Sequence, residues 1–295
     1  MKALAAVGAF ASLFAAWFVF AASPGAQLPP LNSPPTDEQL PGKFIWFDLA
    51  TPAISNQKRF YGSVFGWTFE SPVRTDDAYV FIKNGGRAIG GMFLHEPPTG
   101  EQDGAAWIAL MSVTDAEIAS NTFKANGGSV EVDPADVAGR GRHAVFRDPG
   151  GAVFGVLNST SGDPFDDEVE MGGIIWVDLF ARDVDSMAQF YGALAPFEIA
   201  DTDITEDVAR KVLSAHGMPR AGIIPVDEEA NRSAWVPYVR VEDVESTLGK
   251  VVEGGGFVIV APDENLHDGN VAVFVDPNGG VTGIVRYEYA EGSAQ

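Results

Sequence analysis

Residues 43–50 read KFIWFDLA, and IWFDL at 45–49 returns as IWVDL at 175–179. Three further stretches return in the same order. FYG at 60–62 recurs at 190–192, AAWI at 105–108 as SAWV at 233–236, and FRDPGG at 146–151 as FVDPNGG at 274–280. The offsets are 130, 130, 128 and 128 residues. So constant a spacing means two copies of one domain. A finer repeat sits inside each copy: Trp46 to Trp107 is 61 residues, and Trp176 to Trp235 is 59.

Working outward from 43–50, the alternation predicts a strand whose Ile45, Phe47 and Leu49 share one face, with Trp46 and Asp48 on the other. Residues 54–65 predict a helix stopped by Gly66. Strands follow near 67–70, 78–82 and 87–94. The next unit runs strand 106–113, helix 115–126, and strands near 129–132, 142–147 and 152–158. The second copy repeats the plan. It has strand 174–180, helix 184–194, strands near 197–200, 208–213 and 221–225, strand 235–241, helix 243–253, and strands near 257–260, 271–275 and 281–287. Each unit is β-α-β-β-β, and the expected class is α+β.

The 295 residues carry 41 acidic and 19 basic side chains, a formal charge of −22. Such an excess repels phosphate backbones and anionic membranes, so nucleic acid is not an expected partner. A small organic ligand is. The absence of cysteine excludes disulfides, thiolate nucleophiles and zinc–thiolate sites. The four histidines, His95, His143, His216 and His267, include no pair at i, i+4.

Lys2 precedes an apolar run from Ala3 to Ala22, followed by Pro-rich sequence. This reads as a secretory signal or an uncleaved anchor, and either places the domains outside the cytoplasm, secreted, periplasmic or membrane-tethered. An anchor is the one expected membrane contact. The expected division is signal or anchor 1–26, Pro-rich linker 27–42, first domain 43–160, acidic linker 161–171 and second domain 172–290.

FYGSVFGW at 60–67 and FRDPGGAVFGV at 146–156, in this order after such a strand, resemble the vicinal-oxygen-chelate superfamily of glyoxalases, bleomycin-resistance proteins and extradiol dioxygenases. The second copy is similar, with FYGALAPF at 190–197 in place of the first motif. The resemblance implies tandem glyoxalase-like domains, each of two β-α-β-β-β modules curling around a cleft. In metal-using members, His or Gln sits early in a module and Glu near its end. Here the early position falls on Trp46 and Trp176, on Trp107 or Ile108, and on Trp235 or Val236. The late position falls near Gly91 and Gly222, and on Gly155 and Gly283. None of these side chains ligates a divalent cation. No metal site and no cofactor are therefore expected.

The candidate ligand-binding residues are Trp46, Asp48, Trp107, His143, Trp176, Asp178, Trp235, Tyr238 and His267. Trp46 with Asp48, and Trp176 with Asp178, suit an aromatic floor with one carboxylate for a planar or cationic ligand. The same tryptophans equally suit plain filling of a vacated metal cleft. Tyr238, two residues after Val236, adds a hydroxyl if Val236 faces inward. His143 and His267 precede the two DP turns at related places. Asp148 and Asp276 are expected to fix those turns by bonding the backbone, and Phe60-Tyr61 and Phe190-Tyr191 to pack helix on sheet. The leading expectation is metal-independent small-molecule binding, or catalysis without metal, in aromatic clefts. One alternative is a lyase, hydroxylase or dioxygenase with a displaced metal site built from Asp48 or Asp178 with His143 or His267. The other is an interaction module with filled clefts.

Overall fold

The computed structural model describes residues 28–72, 79–95, 104–205, 208–226 and 233–290. The apolar run expected to be a signal or anchor lies outside them. No helix among the described residues is long and apolar enough to cross a membrane.

The first half contains β1 (Phe44–Thr51), α1 (Ile54–Phe65), β2 (Thr68–Glu70), β3 (Tyr79–Asn84), β4 (Arg87–Leu94), β5 (Ala106–Ser112), α2 (Ala116–Ala125), β6 (Ser129–Val137), β7 (Gly141–Arg147) and β8 (Val153–Ser159). The second half contains β9 (Ile174–Ala181), α3 (Val184–Gly192), β10 (Glu198–Thr205), β11 (Val208–Ala215), β12 (Met218–Pro225), β13 (Ala234–Arg240), α4 (Val244–Glu253), β14 (Phe257–Val260), β15 (Val271–Val275) and β16 (Val281–Val285). Two eight-stranded sheets result, ordered β2-β3-β4-β1-β5-β8-β7-β6 and β10-β11-β12-β9-β13-β16-β15-β14. In both, the first strands of the two modules pair antiparallel at the centre, and each pairs parallel with the last strand of its own module.

Local chemistry explains the helix ends. Asp115, Asp183 and Asp243 accept the backbone N–H groups of Ile118, Ser186 and Ser246, as N-caps do. Gly66 closes α1 at φ 73°, a conformation that favours glycine. Two strands run five residues past their expected ends. β6 continues to Val137 through two register shifts that accommodate Pro134. β10 continues to Thr205 as the polar edge of a hairpin with β11, and its acidic and hydroxyl side chains hide it from a search for apolar alternation.

One apolar core serves both halves. Phe47 and Leu49 from β1 join Val177 and Leu179 from β9, together with the buried stripes of all four helices. Phe44 lies 4.8 Å from Trp235, Phe123 4.7 Å from Phe190, and Phe60 6.0 Å from Phe274. The helix-bearing faces of the sheets thus meet each other. The opposite faces carry separate, smaller clusters. Ile45 is a correction: a register shift between Phe44 and Trp46 places it in the cluster with Trp46, not with Phe47 and Leu49.

The Pro-rich segment and the acidic linker are both pinned. Asn32 donates to the Gly162 carbonyl at 2.8 Å and Thr36 to the Asp163 carbonyl at 2.7 Å. Asp163 Oδ2 accepts from Leu40 N and Ser112 Oγ. Asp166 takes a bidentate pair of bonds from Arg220, at 2.5 and 2.9 Å, and an ion pair from Lys43 at 2.7 Å.

Candidate functional site

The second sheet's free face bears the site. Trp176, Asp178 and Phe180 alternate along β9, and Val236 and Tyr238 along the neighbouring β13, with Val236 opposite Asp178 and Tyr238 opposite Trp176. Trp176 Nε1 donates to Asp178 Oδ1 at 2.7 Å, and the Tyr238 phenol lies near the same carboxylate and favours its charged form. Burial pushes the Asp178 carboxyl up to about 6, against the pull of Trp176, the Arg210 charge and Tyr238. Burial first, and the Asp178 charge second, hold the Tyr238 phenol well above its ordinary value.

These residues lie in a depression of about 1550 Å³. Its far walls come from β11, β14 and β15, and it is also bordered by linker residues 164–170 and by β1 and β4 of the first sheet. Arg210 stands over Trp176 with its guanidinium carbon 5.9 Å from the ring centre. His267 also lines the cavity, in a single 3-10 turn ahead of β15. Burial lowers its pKa, and Arg210 adds to the effect.

The first sheet carries a closed counterpart. Trp46 Nε1 donates to Asp48 Oδ1 at 2.9 Å, and Tyr79 Oη donates to the same oxygen at 2.8 Å. Here a second donor comes from β3. Phe81, Phe93, Ile108, Leu110 and Leu157 fill the face, and Leu28 of the Pro-rich segment is buried among them. His143 sits on this face opposite Leu157 in β7. Burial drives its pKa down to about 3, so it is neutral.

Three expectations are corrected. Trp107 and Trp235 face the shared core, not the clefts. Their Nε1 atoms donate to Thr282 Oγ1 and Tyr191 Oη, both at 3.0 Å. Ile108 and Val236 take the cleft positions, because side chains alternate and a one-residue ambiguity reverses the face. His143 and His267 are not equivalents: Phe146 pairs with Phe154, and Phe274 with Thr282, so Val271 stands where His143 does. Tyr61 and Tyr191 pack in the core as expected, but their hydroxyls reach the opposite domain. Tyr79, Arg140 and Arg210 carried no sequence signal strong enough to select them. The alternation of Tyr79 and Phe81 marks a strand face, without saying which strand lies beside it.

A divalent cation does not fit either face. The late-module glycines align as the resemblance implies, with Gly91 opposite Asp48, Gly155 opposite Leu110, Gly222 opposite Asp178 and Gly283 opposite Tyr238. A Cβ at Gly91 would collide with Tyr79 and Asp48, at Gly222 with Asp178, and at Gly283 with the Tyr238 ring. The space of a metal-binding side chain is thus taken by its neighbour. Asp48 is held by indole and phenol donors, and Asp178 by its indole donor. Among the described residues, no three His, Asp or Glu side chains converge on a point suited to a metal.

Residues 43–156 match the model of the glyoxalase/bleomycin resistance protein/dioxygenase superfamily. The chain is 30% identical over 265 residues to the anthracycline biosynthesis protein DauV of Streptomyces sp. (strain C5), covering 85% of this chain and 95% of that one. The chain belongs to this superfamily. Its fold is similar to that of the Mn(II)-bound glyoxalase of Novosphingobium aromaticivorans, with TM-score 0.55, 17% identity, and 87% and 86% of the two chains covered. The 2,3-dioxygenase LapB of Pseudomonas sp. KL28 gives TM-score 0.56 at 13% identity, with 85% and 94% covered. At these identities the likeness to solved structures is one of fold.

Proposed function

We propose that the second domain of this superfamily member binds a planar aromatic small molecule in its cleft, without a metal ion. The observation that carries this reading is the Trp176–Asp178–Tyr238 group on the floor of a large, open, mainly apolar cavity. Ligand sites of this kind are concave and apolar, with a few fixed polar groups. The indole face offers stacking. The carboxylate, oriented by the Trp176 indole, offers an acceptor for a ligand hydroxyl. Arg210 stands 5.9 Å from the indole, and admitting a ring between them needs about 7 Å, two van der Waals separations. A shift of about 1 Å by this side chain completes a sandwich. Two relatives, DauV and DnrV, are named for anthracycline biosynthesis, and that agrees with an aromatic ligand.

The test is a fluorescence titration with 1,8-dihydroxyanthraquinone in the presence of a chelator. Saturable quenching that Trp176→Leu abolishes and Asp178→Asn weakens is expected. No saturation, or an unchanged affinity in Trp176→Leu, sinks the proposal. The carboxyl poised near 6 also favours a second reading, metal-free proton transfer to or from the bound ligand by Asp178.

A further inference from the structure

Arg140 lies in the turn between β6 and β7, and only 4% of it is exposed. Its guanidinium carbon sits 4.0 Å from the centre of the Trp46 ring. Nε, Nη1 and Nη2 have no hydrogen-bond partner. The Asp48 charge acts on it at a distance, but Asp48 Oδ1 is occupied by Trp46 and Tyr79. Folded proteins almost always satisfy buried polar groups, and a guanidinium has five donors to satisfy. An unsatisfied one, over an indole at the base of a cleft, is an arrangement kept for something that arrives.

The segment above it is equally specific. Leu28 is buried in the cluster of Trp46, Tyr79, Phe81 and Phe93, and Leu31 packs on the same cluster. Leu28 N donates to the Ala138 carbonyl at 3.1 Å, two residues before Arg140. Asn32 then ties the segment to Gly162. The roof of this cleft is a strap held by few bonds, not a strand of the sheet.

We propose that the first cleft is a second binding site, for a small aromatic carboxylate, in which the Arg140 fork takes the carboxylate and the strap around Leu28 lifts to admit the ring. The planar fork matches a carboxylate with two parallel bonds. The Trp46, Tyr79, Phe81 and Phe93 side chains supply the apolar surroundings a ring needs. Asp48 already contributes one negative charge nearby, so a monoanion suits the site better than a dianion. Leu28 fills this cleft, whereas the second, bordered by linker residues 164–170 and by Leu31, stays open. Trp46 and Leu31 also border the large cavity, but the site uses none of Trp176, Asp178, Arg210 and Tyr238, so the two readings stand or fall separately.

The experiment uses the full chain and 4-fluorobenzoate, followed by 19F NMR. The expected result is saturable binding to the wild type. It weakens at least ~10-fold in Arg140→Met, the loss expected for a charge-assisted pair of bonds. It tightens several-fold in Leu28→Ala and is unchanged in Trp176→Leu. Neutral 4-fluorobenzamide does not compete. Arg140→Met is also expected to raise Tm, since it removes a buried, unsatisfied charge; a residue kept for architecture alone would lower it. Should Arg140→Met not fold, Arg140→Lys decides the same question, because it keeps the charge and loses the fork. Absence of saturable binding in both wild type and Leu28→Ala overturns the proposal. So does equal affinity in the Arg140 variants.

Discussion

The hydroxyl of Tyr61 donates to Asp276 Oδ2 at 2.8 Å, from α1 of the first domain to the DP turn of the second. Tyr191 of the second domain makes the reciprocal bond to Asp148 Oδ2 of the first, also at 2.8 Å. In both turns the other carboxylate oxygen accepts backbone N–H groups, Ala152 N for Asp148 and Asn278 N for Asp276. Each aspartate therefore shapes its own turn and fastens it to the other domain.

The two bonds differ in what surrounds them. Asp276 Oδ2 also accepts from Gln57, and Thr282 also accepts from Trp107. Around Tyr191, the Trp235 indole donates to the hydroxyl and Asp148 Oδ2 accepts from it. Tyr191→Phe is thus expected to cost about 2–3 kcal/mol and Tyr61→Phe about 1 kcal/mol, by the usual penalty for each buried polar group deprived of a partner. Urea denaturation checks this, with lower midpoints in that order and one cooperative transition. Equal effects would contradict it.

Asp166 tethers the acidic linker to Arg220 and Lys43. Burial works against its charge, but the bonds from Arg220 and Lys43 hold the carboxyl down at about 2. Asp166→Asn leaves the buried Arg220 charge without its counter-ion. A loss of about 1–3 kcal/mol is expected, discounted because Asp166 is partly exposed. Faster proteolysis within 164–170 should accompany it. The depressed pKa gives a stabilisation present above the ordinary carboxylate range and lost as pH falls toward 2. The variant should therefore flatten the acid limb of the stability profile.

Asp178 and Asp148 have the opposite sign. Burial raises each to about 6, so the native state prefers the protonated forms. That preference stabilises fully below the unfolded carboxyl pKa and is lost as pH rises through 6. Tm should therefore be higher at pH 5 than at pH 8. Asp178→Asn should shrink the corresponding stability difference by about 1 kcal/mol. A phenolic ligand that donates to the carboxylate should bind more tightly above pH 6 than below it. A pH-independent affinity between 5 and 8 would remove Asp178 from the contact.

Much of this was legible in the chain. The duplicated IWFDL, FYG and DPGG motifs give two sheets of paired modules, and the Trp46/Asp48 and Trp176/Asp178 alternation fixes which face is free. The failures have physical causes. Trp107 and Trp235 follow alanine at a strand start, where period two does not say which parity faces inward, and the answer came from pairing with β1 and β9. The hydroxyl partners of Tyr61 and Tyr191 lie 215 and 43 residues away, and no local pattern encodes them. The closed first cleft depends on Leu28, which as a sequence is one apolar residue in a Pro-rich stretch. Arg140 stood beside His143 in GRGRHAVF, but only folding shows that it is buried while Arg142 on the adjoining strand pairs with Glu117 and Asp136 at the surface.

The central claim is that indole, phenol and a lone carboxylate do the work of recognition where related folds hold a cation. Its most direct test is to measure bound transition metals in the purified full chain, and then the affinity of 1,8-dihydroxyanthraquinone before and after exhaustive chelation. The account predicts substoichiometric metal and one unchanged dissociation constant, lost in Trp176→Leu. One tightly held metal ion per chain, with ligand affinity that disappears on chelation and returns with the ion, would contradict it.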